Sequence, residues 1–230
     1  TMQLIAFENN LAETAFLLKK ENTYCLRWYS PKVEIDLCGH ATLATACDVM
    51  NFVDSNINQI DFETKSGPLS VSRNKDVYTM NFPSRMPVPI AINNSLLEKA
   101  LGCKVLETHL SRDLLIVVES EEVVKNLNVN IDLLSEITKD ISFAIVVSAK
   151  GDSCDFVSRF FAPKAGVAED PVTGSSHSTL IPFWSKKLNK TNMIAKQLSP
   201  RGGTLICEDL GERVTISGKA VCYLVGEISL

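Results

Sequence analysis

The sequence predicts an α+β protein made of two similar lobes. Segments rich in β-branched and aromatic residues are typical of strands, and they alternate with a few segments in which apolar residues have helical spacing. The same order of landmarks also occurs twice along the 230 residues, which indicates an internal duplication. We therefore expect each lobe to contain several strands and one principal helix that a curved sheet encloses.

The duplication rests on three landmarks. In each half an aromatic strand ends at a proline, a glycine opens the principal helix, and a second glycine precedes a pair of strands. The paired positions lie 132, 135 and 136 residues apart: segment 27–32 with 159–164, Gly39 with Gly174, and Gly67 with Gly203. Offsets this similar indicate two homologous lobes rather than a chance likeness.

The first lobe is expected to span residues 1–86, with the last strand of the chain joining it. Its elements in order are a helix at about 2–9, a strand, the principal helix from 40 to about 52, and strands at 66–71 and 77–80. The predicted apolar face of the principal helix consists of Leu43, Ala44, Cys47 and Met50. Segment 83–89 contains three prolines, which cannot continue a central strand, so it is interpreted as the connection between the lobes.

The second lobe is expected to span residues 87–230. Its elements are a helix at 95–101, strands at 114–118, 143–147 and 155–161, a principal helix opened by Gly174, and strands at 202–207 and 214–217. The predicted apolar face of this second helix consists of Leu180, Ile181, Phe183, Trp184 and Leu188. Pro182 is expected to kink it at 178–181.

Composition and charge exclude several classes of protein. The formal net charge is −4, and no basic stripe of the kind found in nucleic-acid binders is present. The longest apolar run, 220–225, is far shorter than the roughly 18 residues of a membrane-spanning helix. No secretory signal is recognised at the start, so we expect a cytoplasmic protein without nucleic-acid or membrane partners. The seven cysteines contain no C-x-x-C pair and share no ligand spacing with the three histidines, so no metal site is expected.

The helix starts at Gly39 and Gly174 are candidate carboxylate sites. Peptide N–H groups at a helix start have no partner within the helix, and they carry the positive end of the helix dipole. Clefts between lobes commonly hold small molecules. We therefore expect both helix starts to face one cleft and to bind a small carboxylic acid.

Glu13 and Asp170 are candidate acid–base groups, because a carboxyl group transfers protons near neutral pH when burial raises its pKa. Glu13 lies where the first helix gives way to a strand, and a solvated turn residue is the alternative interpretation. Asp170 precedes the second principal helix. An aspartate that merely stabilises the helix start is the alternative there.

His40 and Ser175 lie at nearly equivalent helix starts. The helix dipole is expected to favour neutral His40, which could relay a proton or bind an anion; a hydrogen-bonded core histidine is the alternative. Ser175 could cap its helix, hold a ligand with its hydroxyl, or both. His109 and His177 are interpreted as structural.

Segments 37–44, 166–177 and 198–203, together with 9–16, resemble the PhzF-like phenazine-biosynthesis family, and the motif Glu-Asp-Pro-x-Thr-Gly-Ser is specific to it. The resemblance implies a diaminopimelate-epimerase-like fold, with two homologous lobes in which a mostly antiparallel sheet wraps a central helix. It also implies a cofactor-independent isomerase that moves a proton on a small cyclic or amino carboxylic acid, and a homodimer. By motif position Glu13 is the base, His40 and Asp170 assist it, and Gly39, Gly174 and Ser175 bind the carboxylate.

Two other hypotheses follow from the same resemblance. Related epimerases use two opposed cysteines, and Cys38 fits the first of them, but the loop before Gly174 contains no second cysteine. Cys38 is therefore interpreted as a packed residue. Members of the family usually start some tens of residues earlier, with a strand and a Gly-Asn-Pro turn, so a catalytically silent relative that acts as a ligand-binding or interaction protein is the alternative to the enzyme.

Overall fold

A computed structural model describes residues 1–21 and 23–228. The elements of the first half are α1 (Met2–Asn9), β1 (Thr14–Lys20), β2 (Thr23–Tyr29), β3 (Glu34–Ile35), α2 (Gly39–Asp48), β4 (Gln59–Thr64), β5 (Gly67–Asn74) and β6 (Val77–Pro83). One turn of π-helix, Val49–Val53, continues α2. The expected helices and strand pair of this half are thereby found.

The second half is longer and contains more strands. Its elements are β7 (Val88–Pro89), α3 (Asn94–Leu101), β8 (Glu107–Leu110), β9 (Leu114–Val117), α4 (Glu121–Lys125), α5 (Ile131–Thr138), β10 (Ile145–Lys150), β11 (Phe156–Ala162), β12 (Val167–Asp170), α6 (Gly174–Leu188), β13 (Asn192–Gln197), β14 (Gly203–Asp209) and β15 (Arg213–Lys219). Among the described helices, none is long and apolar enough to span a membrane.

The described strands form one sheet that runs through both halves. The order is β1-β2-β4-β5-β6-β15-β14-β13-β11-β10-β9-β8-β7, with β3 and β12 paired to β2 and β11 off this path. Most neighbouring pairs are antiparallel; the parallel pairs are β2 with β4, β9 with β10, and β11 with β13. The last strand, β15, lies between β14 and β6 and joins the two halves. A lobe boundary near Met86 stays a prediction, because the sheet and one large core cluster are continuous across it.

The first principal helix, α2, is packed differently from its predicted face. Cys47 and Met50 are buried as expected, but Ala44 is exposed and Leu43 only partly buried. The buried side chains of α2 include Thr42 and Thr45, whose hydroxyls donate to the carbonyls of the preceding turn. A threonine whose hydroxyl is hydrogen-bonded in this way can be buried like an apolar residue. The buried face of α2 therefore includes Thr42 and Thr45, which the predicted apolar face left out.

The second principal helix, α6, is enclosed rather than amphipathic. Residues 174–185 are all buried, whereas the sequence predicted a single apolar face. The helix continues through Pro182, which has no N–H to donate to the carbonyl of Ser178. That carbonyl instead accepts a hydrogen bond from the backbone N–H of Arg85 at 2.8 Å. The proline thus frees an acceptor that ties the connection between the lobes to α6.

Candidate active site

Glu13 is held at the junction of α1 and β1. Helix α1 ends where Asn10 adopts a left-handed conformation with φ 48°, a common helix stop, and the chain then turns into β1 immediately after Glu13. The Glu13 side chain is 11% exposed, and its Oε2 lies 3.0 Å from Nε2 of His40. Among the described residues Oε2 has no hydrogen-bond partner of good geometry, so this is an ion-pair contact that leaves the oxygen able to accept a proton.

His40 is fixed by the first turn of α2, which begins at Gly39 after an extended Cys38. Its Nδ1 lies 3.1 Å from the carbonyl oxygen of Val172, on the loop before α6. A carbonyl can only accept, so Nδ1 carries the proton of this bond. The ring therefore presents Nε2 to Glu13, and one hydrogen bond across the two halves sets its orientation.

The charge state of His40 differs from the expectation based on the helix dipole. Burial lowers the pKa of His40, but Cys38, Glu13 and Asp170 raise it, and the net result lies well above the ordinary value. A helix start contributes only about 0.3–1 kcal/mol at most exposed positions, which neighbouring carboxylates can outweigh. The imidazolium form of His40 is thus favoured at neutral pH.

Asp170 ends β12 and is part of a buried polar network. Thr173 donates its hydroxyl to Oδ2 of Asp170 at 2.5 Å, and Gln197 donates Nε2 to the Asp170 carbonyl at 2.6 Å. Oδ1 is buried and lacks a partner in the described part of the chain. Burial raises the pKa of Asp170, although His40, Thr173 and Arg201 oppose the rise. Asp170 therefore has buried contacts and a raised pKa that an aspartate serving only to stabilise a helix start would not need.

The two helix starts meet at their glycines. A Cβ atom at Gly39 would lie 2.7 Å from Cα of Gly174, and one at Gly174 would lie 2.9 Å from Cα of Gly39. Backbones approach this closely only where neither residue has a side chain. The N-terminal peptide N–H groups of the two helices therefore lie close together, and such an arrangement could bind one carboxylate from both sides.

Ser175 does not cap its helix, since Thr173 occupies the N-cap position. The Ser175 hydroxyl oxygen instead accepts a hydrogen bond of 3.1 Å from Nη2 of Arg112. Arg112 is held in turn by Asp113, which accepts from Nε at 3.0 Å and from Nη2 at 2.7 Å and whose side chain is 2% exposed. Because the Ser175 hydroxyl oxygen already accepts a hydrogen bond from Arg112, its O–H proton is available to a ligand.

Two cavities border these residues. A small one of about 30 Å³ is lined by Glu13, Asp170, Arg112 and Thr173 together with apolar side chains. A larger cavity of about 600 Å³ is lined by His40, Gly174 and Arg201 and by apolar residues of α2 and of β6, β14 and β15. His40 and Gly174 therefore lie at the wall of a space large enough for a small molecule.

Cys38 lies inside the cluster of candidate catalytic groups. Its Sγ is 3.9 Å from Nδ1 and 4.0 Å from Nε2 of His40, and burial raises the pKa of the thiol. Glu13, Cys38 and His40 bring three metal-ligating atoms within 4.8 Å of one another. The expectation that the chain has no metal site stays a prediction; it was based on the spacing of cysteines and histidines, which does not report a glutamate contributed by another element.

Sequence reasoning missed the residues that support the candidate groups. Arg112 lies in the turn before β9, Thr173 at the N-cap of α6, and Gln197 at the end of β13. Thr173 stands inside the specific motif, and its position three residues after Asp170 is a signal that could have been read as an Asp–Thr hydrogen bond. His177 and His109 are structural as interpreted: His177 donates Nδ1–H to the Thr173 carbonyl at 2.8 Å, and His109 contacts Glu107 at 2.9 Å.

Comparisons with known proteins identify the family and the fold of the chain. The family described as phenazine biosynthesis-like protein matches residues 1–226. An uncharacterised isomerase of Pseudomonas aeruginosa is 44% identical over 229 residues, covering 100% of this chain and 87% of that protein. The crystal structure of a phenazine biosynthesis protein of the PhzF family from Enterococcus faecalis has a TM-score of 0.94 at 46% identity, covering 100% of this chain and 87% of that chain.

A more distant likeness concerns the fold alone. A probable proline racemase from Agrobacterium radiobacter has a TM-score of 0.69 at 10% identity, covering 100% of this chain and 81% of that chain. The sheet-wrapped helices described above are thus the diaminopimelate-epimerase-like fold. With the family match over nearly the whole chain and relatives above 40% identity, the protein belongs to the PhzF-like phenazine-biosynthesis family.

Proposed function

We propose that the protein is a cofactor-independent isomerase that moves a proton between two carbons of a small cyclic or amino carboxylic acid, with Glu13 as the base. The observation that carries the proposal is the buried Oε2 of Glu13, which lies 3.0 Å from Nε2 of His40 and has no good hydrogen bond among the described residues. Because this oxygen makes no good hydrogen bond, it can approach a substrate C–H bond without first breaking a hydrogen bond. The names of the relatives, which include isomerases, support the reaction class.

Substrate binding is assigned to the paired helix starts. The carboxylate of the substrate accepts hydrogen bonds from peptide N–H groups at Gly39 and Gly174 and from the Ser175 hydroxyl. This anchoring fixes the acidic C–H bond toward Glu13. Orientation of this kind supplies a large part of the rate enhancement of many enzymes, because it removes the entropy of bringing the reacting groups together.

The proton transfer then requires three groups. Glu13 removes a proton from carbon, and the electron pair left behind is delocalised over the unsaturated substrate. The imidazolium of His40, favoured by its raised pKa, stabilises the negative charge that develops. Asp170, whose pKa is also raised, lends a proton to a polar group of the substrate and takes it back as the product forms. Glu13 finally returns the proton at the second carbon, so no net proton is gained or lost.

Deuterium exchange tests the proposal. The protein is incubated in D₂O with small cyclic and amino carboxylic acids, and incorporation of deuterium is followed by NMR. Glu13→Gln is expected to lower exchange by about 10²–10⁴-fold, the usual contribution of general base catalysis. Glu8→Gln, at an exposed position of α1, is the matched control and is expected to match the parent. Exchange by Glu13→Gln at the parent rate would remove Glu13 from the role of base.

The silent-relative hypothesis is not favoured. The residue types Glu13, His40, Asp170 and Ser175 are all present, and in the folded chain Glu13 contributes to raising the pKa values of both His40 and Asp170. A ligand-binding protein without chemistry has no evident need for a carboxylate whose oxygen is buried without a hydrogen bond, since that arrangement is destabilising.

A further inference from the structure

Cys38 is a buried nucleophile that the proposed proton transfer does not use, and it lies beside two residues that the transfer does use. Its sulfur is 4.0 Å from Nε2 of His40, and Nε2 is 3.0 Å from Oε2 of Glu13. All three donor atoms lie within 4.8 Å of one another. Sulfur, imidazole nitrogen and carboxylate oxygen are the donors that zinc binds, and a tetrahedral zinc ion holds such atoms about 3.3–3.6 Å apart.

The hydrogen bond made by the second ring nitrogen of His40 is also typical of a histidine that binds a metal ion. Histidines that bind metals nearly always donate the N–H of the other nitrogen to a carbonyl or a carboxylate, which fixes the tautomer and the ring orientation. Nδ1 of His40 makes such a bond to the Val172 carbonyl at 3.1 Å. In the neutral ring this bond places the lone pair on Nε2, which is the nitrogen next to Glu13.

The other two donors are also available. Oε2 of Glu13 is buried and makes no good hydrogen bond among the described residues; a cation bound between Oε2 and Nε2 of His40 would replace the ion-pair contact that joins these two atoms. The Cys38 sulfur is nearly equidistant from the two ring nitrogens. It must therefore turn toward Nε2 by rotation about its Cα–Cβ bond, and the extended backbone of Cys38, at φ −132°, does not impose a helical rotamer.

From these contacts we infer that Glu13, Cys38 and His40 form a binding site for a soft divalent cation such as Zn²⁺, with water as the fourth ligand. On binding, bonds form from the cation to the sulfur, to Nε2 and to Oε2. The Cys38 thiol proton, and the Nε2 proton where present, pass to solvent. Because the cation takes the base and the imidazole together, it excludes proton transfer; this last consequence rests on the proposed function, whereas the binding itself does not.

Cadmium provides a direct test, because a Cd²⁺–thiolate bond has an ultraviolet charge-transfer absorption. The full chain, freed of metal by a chelator, is titrated with Cd²⁺, and Zn²⁺ binding is measured in parallel by calorimetry. One equivalent is expected to bind with appearance of the absorption and release of protons. Cys38→Ser is expected to abolish this band and to weaken Zn²⁺ binding by more than about tenfold, because losing a ligand should cost more than losing a residue that only orients a ligand.

Cys47→Ser is the matched control, because Cys47, in the helix that Cys38 precedes, is equally buried, and its hydrogen-bond partners among the described residues are the Ala220 carbonyl and Asn51 rather than a histidine or a carboxylate. It is expected to keep the band. Glu13→Gln, checked by circular dichroism to be folded, is expected to keep the band but to bind Zn²⁺ more weakly. Absence of the band in the parent, or an undiminished band in folded Cys38→Ser, would overturn the inference whether or not the protein exchanges protons with any substrate.

Discussion

His40 and His177 both lie in the first turn of a principal helix, yet the two helices hold them in opposite charge states. The pKa of His40 is well above the ordinary value, while burial lowers that of His177 to about 4. His40 is surrounded by Glu13, Cys38 and Asp170. His177 is fully buried, contacts the Phe156 ring at 5.8 Å, and donates to a backbone carbonyl. The two histidines are not equivalent positions of the duplication, and only His40 is surrounded by groups that can exchange protons with it.

The difference extends to what each half contributes. The first half supplies the proposed base, Glu13, and the imidazole of His40, next to a helix start at which backbone N–H groups are the proposed ligand contacts. The second half supplies Asp170 and a set of supporting hydrogen bonds through Thr173, Gln197 and Arg112. Under the proposed function, Glu13 and His40 thus form an acid–base side of the site, and the hydrogen bonds of the second half form a positioning side.

Replacing either glycine at the contact between the helices is expected to have the largest effect. Gly39→Ala and Gly174→Ala each place a methyl group under 3 Å from the opposing backbone. Overpacking typically costs about 1–3 kcal/mol, and a backbone that cannot rotate away should put both variants at or above about 3 kcal/mol in urea unfolding. Equal losses would show that the two halves are equivalent at this point.

Gly218→Ala is the control for these variants. A Cβ at Gly218 in β15 would meet only the Leu43 side chain, at 3.7 Å, which is ordinary contact. Its unfolding free energy is expected to stay within about 1 kcal/mol of the parent. If Gly39→Ala proves as stable as Gly218→Ala, the helix starts do not approach each other as described.

The two histidines predict opposite dependences of stability on pH. His177 stays neutral in the fold, so as pH falls below its ordinary pKa of 6.5 the unfolded chain gains a proton that the folded chain refuses. The unfolding free energy should then fall by up to about 3 kcal/mol as pH drops to about 4. His40, with a raised pKa, contributes stability that is fully present below pH 6.5 and is lost as pH rises through its pKa in the fold.

Urea unfolding of His177→Gln and His40→Gln between pH 4 and pH 9 separates these contributions. His177→Gln is expected to flatten the acid side of the parent's stability curve, and His40→Gln the alkaline side. If His177→Gln loses as much unfolding free energy at acid pH as the parent does, the neutral, buried His177 is not the source of that loss.

Much of this arrangement could be predicted from sequence, because local sequence patterns indicate where each helix starts and which residue types stand there. Gly39, Gly174 and the motif around Asp170 were recognised from the duplication and the resemblance. The positions of Glu13 and His40 followed from the same segments. These residues act at the ends of elements, where the type of residue is set by backbone geometry and by the chemistry of one position.

The supporting contacts could not be predicted, because they join residues that are distant along the chain and common in many environments. Arg112 reaches Ser175 across 63 positions, and Gln197 reaches Asp170 across 27. No periodicity marks an arginine in a turn or a glutamine at a strand end as a partner. The raised pKa of His40 depends on Cys38, which is near in sequence, and on Glu13 and Asp170, whose closeness in space could not be predicted from the sequence.

Thr173→Val tests the positioning side of the site, and its expected effect on unfolding free energy is smaller than that of the glycine variants. The change removes the hydroxyl that donates to Oδ2 of Asp170 and leaves the carboxyl buried with less hydrogen bonding. A loss of about 1–3 kcal/mol in unfolding free energy is expected. Because this hydrogen bond lowers the pKa of Asp170, that pKa should rise further, and the corresponding limb of the exchange-rate profile should move to higher pH. An unmoved profile would mean that Asp170 does not titrate in the exchange reaction.

Arg112→Lys is expected to have the smallest effect, confined to substrate binding. Lysine keeps the charge beside buried Asp113 but cannot make two bonds to that carboxylate and a third to Ser175. The Ser175 hydroxyl should lose its fixed orientation, raising KM by about three- to tenfold, an effect of roughly 1 kcal/mol, with little change in kcat. The acid–base side should be untouched, so the pH profile of exchange should match the parent.

The double variant Arg112→Lys with Ser175→Ala decides whether Arg112 acts through Ser175. If the arginine only orients that hydroxyl, removing the hydroxyl first leaves it nothing to orient, so the second change should add almost nothing to the rise in KM. Additive effects would instead mean that Arg112 attracts the substrate anion directly. The positioning side would then rely on charge, and the asymmetry between the two helix starts would be electrostatic rather than geometric.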